Sequence, residues 1–277
     1  MNSGIKNLLF ELVAKPYSSF FKYANRVNVK LLERCDPTYE HLIDNNKLLL
    51  YCPNSLSLWR AKTLLSKEPD TIEWINSFNE DDVLYDIGAN VGLYSTYAAC
   101  KGIQVFAFEP ESQNYALLNR NIHLNNLEKK AVAFNIALSS ENKIDCLCLN
   151  EFLPGASMHN LGENLDYNKN KFTSVFKQGI LALTLDRLIS EFDVTVPHHI
   201  KIDVDGLERS IVDGGAQTLK NPKVKSLLIE LNTVLKENLE VIEILGSYGF
   251  ECVKKYHSPI FDNSPFAKVF NFTFRRR

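Results

Sequence analysis

No stretch of this 277-residue chain stays apolar long enough to span a bilayer, neither sign of charge dominates, and its six cysteines form no CxxC pair. Each lack excludes something. Without about 20 consecutive apolar residues, no membrane-spanning helix is expected. A formal net charge of −2 argues against nucleic acid as a partner held by bulk electrostatics. Cys35, Cys52, Cys100, Cys146, Cys148 and Cys252 are scattered. No metal site and no disulfide framework is therefore predicted, and free thiols in a reducing, cytoplasmic setting are the expectation. No signal-peptide pattern and no internal repeat is visible. What remains is ordinary globular composition, 45% hydrophobic and 23% charged, with length enough to bury a sizeable core.

The most informative stretch is Val83-Leu84-Tyr85-Asp86-Ile87-Gly88-Ala89-Asn90-Val91-Gly92, followed by Glu109-Pro110. Val83 to Tyr85 read as a buried strand, and Gly88 and Gly92 bracket a tight turn into a helix starting near Gly92. Glycine lets backbone approach a ligand, and a new helix offers unpaired N–H groups. An acidic residue about 20 positions on is where a ribose diol is held. A nucleoside-containing cofactor is therefore expected. The dinucleotide fingerprint G-x-G-x-x-G carries a middle glycine for the pyrophosphate, and here that position is Asn90. With a side chain there and a carboxylate at Asp86, the turn suits a ligand with a cationic amino group and a sulfonium, namely S-adenosyl-L-methionine.

Downstream, strands and helices alternate. Strands are predicted at 82–86, 104–108, 131–138, 199–204 and 225–231, with helices near 92–100, from Pro110, near 207–218 and near 234–247. Alternation of this kind builds a parallel sheet with helices on both faces. The runs 250–255 and 268–274 are joined by a loop alone, so they must pair antiparallel. The expectation is an α/β, Rossmann-like methyltransferase fold with a mostly parallel seven-stranded sheet whose last strand is reversed. Residues 1–78 read as an N-terminal extension of helices and one strand (Lys47–Cys52), and residues 79–277 as the catalytic domain. Asp70 with Glu73 matches a capping box opening the last helix of the extension. Lys143–Leu149 is compatible with a strand, and 151–171 reads as a loop contributing to an acceptor pocket. Ile5, Leu8, Leu9, Leu12 and Val13 form an amphipathic stripe within a segment of net charge +4 over residues 1–35. Two readings stay open for it: docking on its own domain or a homodimer partner, or peripheral contact with the inner membrane surface.

The run Lys67–Ile75, DIGANVG at 86–92, FEP at 108–110, Ala137-Leu138-Ser139, Thr184–Leu188, Ile200–Glu208 and Ile229–Asn232 together resemble the FkbM-type methyltransferase family. The resemblance implies S-adenosylmethionine-dependent O-methylation of a glycan, glycolipid or small-molecule acceptor, a surface polysaccharide foremost. One departure is Asp205, where the family more often has Glu. Carried across by position, Asp86 sits under the methionyl amino group, with Gly88, Gly92 and Asn90 against the cofactor. Glu109 takes the ribose hydroxyls, Asn135 to Ala137 flank the adenine, and Asp203 faces the methyl group.

Methyl transfer is an in-line displacement that gains from orientation and from a base beside the acceptor hydroxyl. Asp203 is the leading candidate for that base or for positioning the acceptor, with Asp205 and Glu230 next. Glu208 reads as helix N-terminal charge. His198 and His199 are expected away from the site, while His159 and His257 lie in loops within reach. A cofactor-binding scaffold without turnover is the reading from another class, and the acidic residues at 203, 205 and 230 argue against it.

Overall fold

The computed structural model describes residues 23–31, 36–163 and 167–277. Residues 23–31 are helical and belong to a first unit, Met1–Thr38, while Tyr39–Arg277 form a second, compact one. The amphipathic stripe at Ile5–Val13 lies outside the described residues, as does Cys35. Among the described residues no helix is long and apolar enough to cross a membrane. Residues 39–78, read from sequence as part of an extension, are built into the same compact unit as the residues that follow.

A hairpin opens the compact unit, β1 (Thr38–Ile43) and β2 (Asn46–Tyr51). Only the second of these strands was visible in the sequence. Two helices follow, α1 (Ser55–Thr63) and α2 (Pro69–Asn76). The main sheet uses β3 (Val83–Ile87), β4 (Gln104–Phe108), β5 (Ala131–Phe134), β10 (His199–Ile202), β11 (Ser226–Asn232), β12 (Phe250–Tyr256) and β13 (Val269–Arg276), in the order β12-β13-β11-β10-β3-β4-β5. A second sheet of β6 (Ala137–Leu138), β7 (Lys143–Leu149), β8 (Asn160–Leu161) and β9 (Phe176–Leu183) has the order β6-β9-β7-β8.

Only β13 in the main sheet runs against its neighbours, pairing antiparallel with both β11 and β12. Strand β10 lies parallel between β3 and β11, with Lys201 beside Asp86. Strands β4 and β5 extend the sheet one way and β10 and β11 the other. The carboxyl ends of β3 and β10 therefore flank the switch point, where open α/β sheets bind ligands.

Period-2 alternation sends side chains of a central strand to opposite layers. Val83, Tyr85 and Ile87 join the core beneath α5 (Leu185–Glu191), α6 (Glu208–Gly214), α7 (Ala216–Lys220) and α8 (Lys236–Ser247). Leu84 joins the other core, with Trp74 and Ile75 of α2, Tyr97 and Ala98 of α3 (Leu93–Cys100), and Leu118 and Ile122 of α4 (Ser112–Leu124). Helices thus cover both faces, as the alternation predicted.

Three local expectations change. Helix α2 begins with Pro69 at its first position, and Asp70 is buried in the first turn without acting as the cap. Proline is pre-set for that position because its missing N–H is one the helix cannot pair anyway. The strand expected over 131–138 divides, since β5 closes the edge of the main sheet and β6 pairs with β9 instead. The helix expected over 207–218 is two short ones, α6 and α7, meeting at Gly214 and Gly215.

Candidate functional site

The turn after β3 is held from two sides. Gly88 and Ala89 donate their N–H groups to the Phe108 carbonyl at 3.0 and 3.1 Å. Gly88 has φ +80°, and a Cβ there would lie 1.8 Å from the Asp203 carbonyl oxygen. Its side-chain-free face therefore meets the end of β10. Gly92, also at φ +80°, caps α3, and a Cβ on it would lie 2.2 Å from Leu118 Cδ1. The spacing that suggested ligand approach thus reflects chain packing at both glycines. Gly88 additionally lines the cavities described below, and Gly92 lines none of them.

Asn90 sits at φ +51°, in the left-handed region that asparagine tolerates. Its N–H donates to Glu109 Oε2 at 2.7 Å, and its side-chain amide donates to the Ala156 carbonyl at 2.9 Å. The other oxygen of Glu109 accepts the Glu111 N–H at 2.8 Å. Burial pushes the Glu109 carboxyl up to about 8, against the downward pull of these N–H donors.

The segment Pro154–Met158 straps across the switch point. Asn54 donates to the Pro154 carbonyl at 2.9 Å and Arg60 Nε to the Gly155 carbonyl at 2.6 Å. Asn114 accepts the Gly155 N–H at 2.7 Å and donates to the Ala156 carbonyl at 3.0 Å. Asp205 accepts the Met158 N–H at 2.6 Å. Asp205 itself has φ +56°, a conformation that a short carboxylate side chain enters more readily than most residues.

Three adjoining cavities of about 240, 80 and 50 Å³ share Gly88, Asn90 and Asp203 on their walls. The middle-sized one is an apolar slot between Phe108, Ile136, Ala137, Leu147 and Leu161, edged by Glu109. The smallest is charged, with Asp86, Lys201, Arg60 and Lys67 on its wall. The largest is a mouth lined by Trp59, Met158, Tyr256, Phe261 and Phe266, with Asp205 and Glu230.

Asp86 is fully buried, accepts the Ser95 hydroxyl at 2.5 Å through Oδ2, and has no hydrogen-bond partner at Oδ1. Burial drives its carboxyl up, opposed by Lys201. Lys201 is buried too and pairs with Asp203 at 2.7 Å. Burial alone would discharge Lys201, but Asp203, Asp86 and Glu68 outweigh it and hold its ammonium well above the usual lysine range. Glu230 has no hydrogen-bond or ion-pair partner among the described residues. Burial, with Asp203 and Glu68 nearby, pushes its carboxyl far up. Burial, and then Asp203, raises Asp205 to about 6. Glu208 begins α6, accepts the Gly206 N–H at 3.0 Å and is raised by burial to about 7.

The structure thus brings Asp86, Gly88, Asn90, Glu109, Ala137, Asp203, Asp205 and Glu230 to one cleft. Asn135 lines none of the three cavities and donates to the carbonyls of Glu109 and Pro110. Of the histidines, His159 borders the slot, whereas His257 donates from Nδ1 to the Val269 carbonyl at 2.8 Å, has Nε2 3.0 Å from Asp262 and lines none of the three cavities. His199 lies near the opposite end of β10, between Asp82 at 3.0 Å and Ser226 at 2.7 Å, with Phe78 stacked on its ring. Arg60, Lys67, Glu68 and Lys201 were not singled out from sequence. Lys67, Glu68 and Lys201 stand in the runs that carry the family resemblance, and for Arg60, Lys67 and Lys201 the acidic excess around the site was a further sign, since it requires buried cations to balance it. Among the described residues no cluster of three or more His, Cys, Asp or Glu side chains is arranged to hold a metal ion.

The model of the family described as Methyltransferase FkbM domain matches residues 86–252. Hexuronic acid methyltransferase AglP of Haloferax volcanii is 25% identical over 175 residues, which cover 63% of this chain and 66% of that protein. The 31-O-demethyl-FK506 methyltransferase FkbM of Streptomyces tacrolimicus is 24% identical over 210 residues, covering 68% of this chain and 79% of that one. Among solved structures, Methyltransferase FkbM from Methylobacillus flagellatus KT is similar at 15% identity and a TM-score of 0.46, covering 80% of this chain and 55% of its own. This chain therefore spans just under two thirds of AglP and about half of that solved chain. The matched segment opens at Asp86 in the turn-bearing strand, runs through the whole switch point, and takes in more than half of the sequence; the chain belongs to the FkbM methyltransferase family.

Proposed function

We propose that the protein is an S-adenosylmethionine-dependent O-methyltransferase acting on a sugar hydroxyl of a glycan or glycolipid. One observation carries the reading: three cavities of different chemistry converge on Gly88, Asn90 and Asp203. The residues present fit the donor, because Asp86 Oδ1 is a buried acceptor with nothing to accept. An ammonium group would satisfy it. Ile136 and Ala137 would flank the adenine in the apolar slot, and Glu109 at its edge would accept from the ribose diol. The donor supplies an electrophilic methyl on a sulfonium.

The chain's own residues do the rest. Trp59, Tyr256, Phe261 and Phe266 offer aromatic walls on which a sugar ring stacks, which fixes orientation. Glu230 is the base for the acceptor hydroxyl, since it lines the mouth with no hydrogen-bond or ion-pair partner among the described residues to hold its carboxylate. Asp203 is engaged by Lys201 and Asp205 by Met158, so these two position rather than abstract. Support for a glycan comes from AglP, whose name assigns it a hexuronic acid. FkbM of Streptomyces tacrolimicus, named for demethyl-FK506, supports a small-molecule acceptor as the second reading.

Incubation with labelled S-adenosylmethionine and fractionated glycans, lipids and small molecules tests both readings. Label is expected in a glycan or glycolipid fraction, and Glu230→Gln should bind donor normally yet lose turnover by about 10²–10⁴-fold. Label confined to small molecules selects the second reading. Unaltered donor affinity in both Asp86→Ala and Glu109→Ala refutes the cofactor assignment.

A further inference from the structure

We infer that the rim of the largest cavity is a docking surface for an anionic lipid bilayer, so that the acceptor sugar enters the mouth from a lipid carrier. The inference rests on the acceptor reading above and narrows it to a membrane-borne glycolipid. Two segments frame the mouth, α1 on one side and the loop between β12 and β13 on the other. That loop carries a 3₁₀ turn, Pro259–Phe261, in which no residue is buried. Ile260 in the turn is 52% exposed, and Phe261 beside it lines the mouth. Trp59 of α1 also lines the mouth and is 37% exposed. Val234, 69% exposed, follows Thr233, whose N–H donates to the Lys268 carbonyl at the end of the same loop. Single apolar residues scattered over a surface are ordinary, but these gather at one opening.

Charge identifies the occupant. Lys62 is exposed one turn along α1 from Trp59, and Lys268 is exposed where the loop meets β13. Neither makes an ion pair among the described residues. The one acid of the loop, Asp262, stands 3.0 Å from His257 Nε2. An anionic bilayer supplies phosphates for the two lysines and an apolar boundary for Ile260 and Trp59, and the indole ring favours that boundary. A second copy of the chain seated on the same residues would stop the mouth through which the acceptor enters. A bilayer against the rim instead delivers an acceptor head group to it.

Binding of the full chain to vesicles tests this without donor or acceptor. Vesicles of phosphatidylcholine with phosphatidylglycerol are compared with phosphatidylcholine alone, by co-sedimentation and by tryptophan emission. Trp59 and Trp74 are the two tryptophans, and Trp74 is buried, so quenching by chain-brominated lipids reports on Trp59. Wild type should bind the anionic vesicles and be quenched there. Ile260→Ser should weaken binding by about 5- to 10-fold. Lys62→Glu combined with Lys268→Glu should weaken it by about tenfold or more on anionic vesicles only. Both variants change exposed side chains and should unfold in urea as wild type does. Absence of vesicle binding in wild type, unquenched tryptophan, or binding kept by both variants overturns the inference. Self-association that Ile260→Ser abolishes gives the rim to a second copy and overturns it too. None of these results touches the methyl-transfer reading, which fails separately, on donor affinity unaltered in Asp86→Ala and Glu109→Ala.

Discussion

Replacing Gly88 by alanine should damage the protein far more than the same change at Gly102, although both glycines have positive φ, +80° and +90°. An added Cβ in the left-handed region costs about 1–2 kcal/mol by itself. At Gly102 nothing lies within 4 Å of that Cβ, so this backbone cost is the whole expected effect. At Gly88 the Cβ would lie 1.8 Å from the Asp203 carbonyl oxygen, 2.8 Å from its carbon and 3.0 Å from Val204 Cγ1. The first two are backbone atoms that no rotamer change can move. The turn is also tied, with the Gly88 N–H on the Phe108 carbonyl and the Asp203 N–H on the Ile87 carbonyl, both at 3.0 Å. Relieving the overlap must open the seam between β3 and β10, which adds about 1–3 kcal/mol of packing strain. The total is about 2–5 kcal/mol for Gly88→Ala against about 1–2 kcal/mol for Gly102→Ala. Urea unfolding of the two variants measures both, and binding of S-adenosylhomocysteine should fail in Gly88→Ala alone. Equal destabilisation would refute the close approach to Asp203 as the reason for glycine here.

Three further outcomes are expected. Burial, opposed by Asp82, holds the folded-state pKa of His199 down to about 4 from 6.5. Stability from keeping it neutral is full above about pH 6.5 and declines as pH falls toward 4, by up to about 3 kcal/mol; His199→Gln should flatten that slope in urea titrations run between these pH values. Glu109, raised to about 8, accepts from a diol better when ionised, so affinity for S-adenosylhomocysteine should climb from about pH 7 to 9. A flat calorimetric profile in wild type, or the same climb in Glu109→Gln, contradicts this. Asn114→Ala removes the two bonds that Asn114 makes to Gly155 and Ala156 and leaves those from Arg60 and Asn90, and amide exchange at 154–158 should accelerate by about tenfold or more. Unchanged exchange would show that the strap is held elsewhere.

The central strands were readable in the sequence because burial on both faces demands mainly apolar runs, as in Val83–Ile87 and Ser226–Asn232, each broken by a carboxylate near its carboxyl end. Reversal of β13 was readable because so short a connection leaves no room for a crossover. Of the second sheet, β7 was readable at Lys143–Leu149 and β9 was not. Strand β9 exposes Phe176 and carries Lys177, Gln178 and Gly179, so neither alternation nor an apolar run marks it. Asp70 misled because a capping pattern is local, while the choice of Pro69 as the first helical residue placed Asp70 inside the compact unit.

The sequence by itself determined the order of elements, the turn at Asp86–Gly92 and the set of carboxylates delivered to the switch point. These follow from local periodicity and from strand ends, which nearest neighbours in the chain control. The tertiary structure alone decided which carboxylate is engaged and which is free. Met158 on Asp205, and no hydrogen-bond or ion-pair partner for Glu230 among the described residues, are relations across the fold, set by distance and burial, whereas Lys201 reaches Asp203 from two residues away. It also decided that Arg60 and Lys67 of the N-terminal segment stand beside Asp86. Charges removed from water must find partners in space, and chain order carries no record of which ones they find.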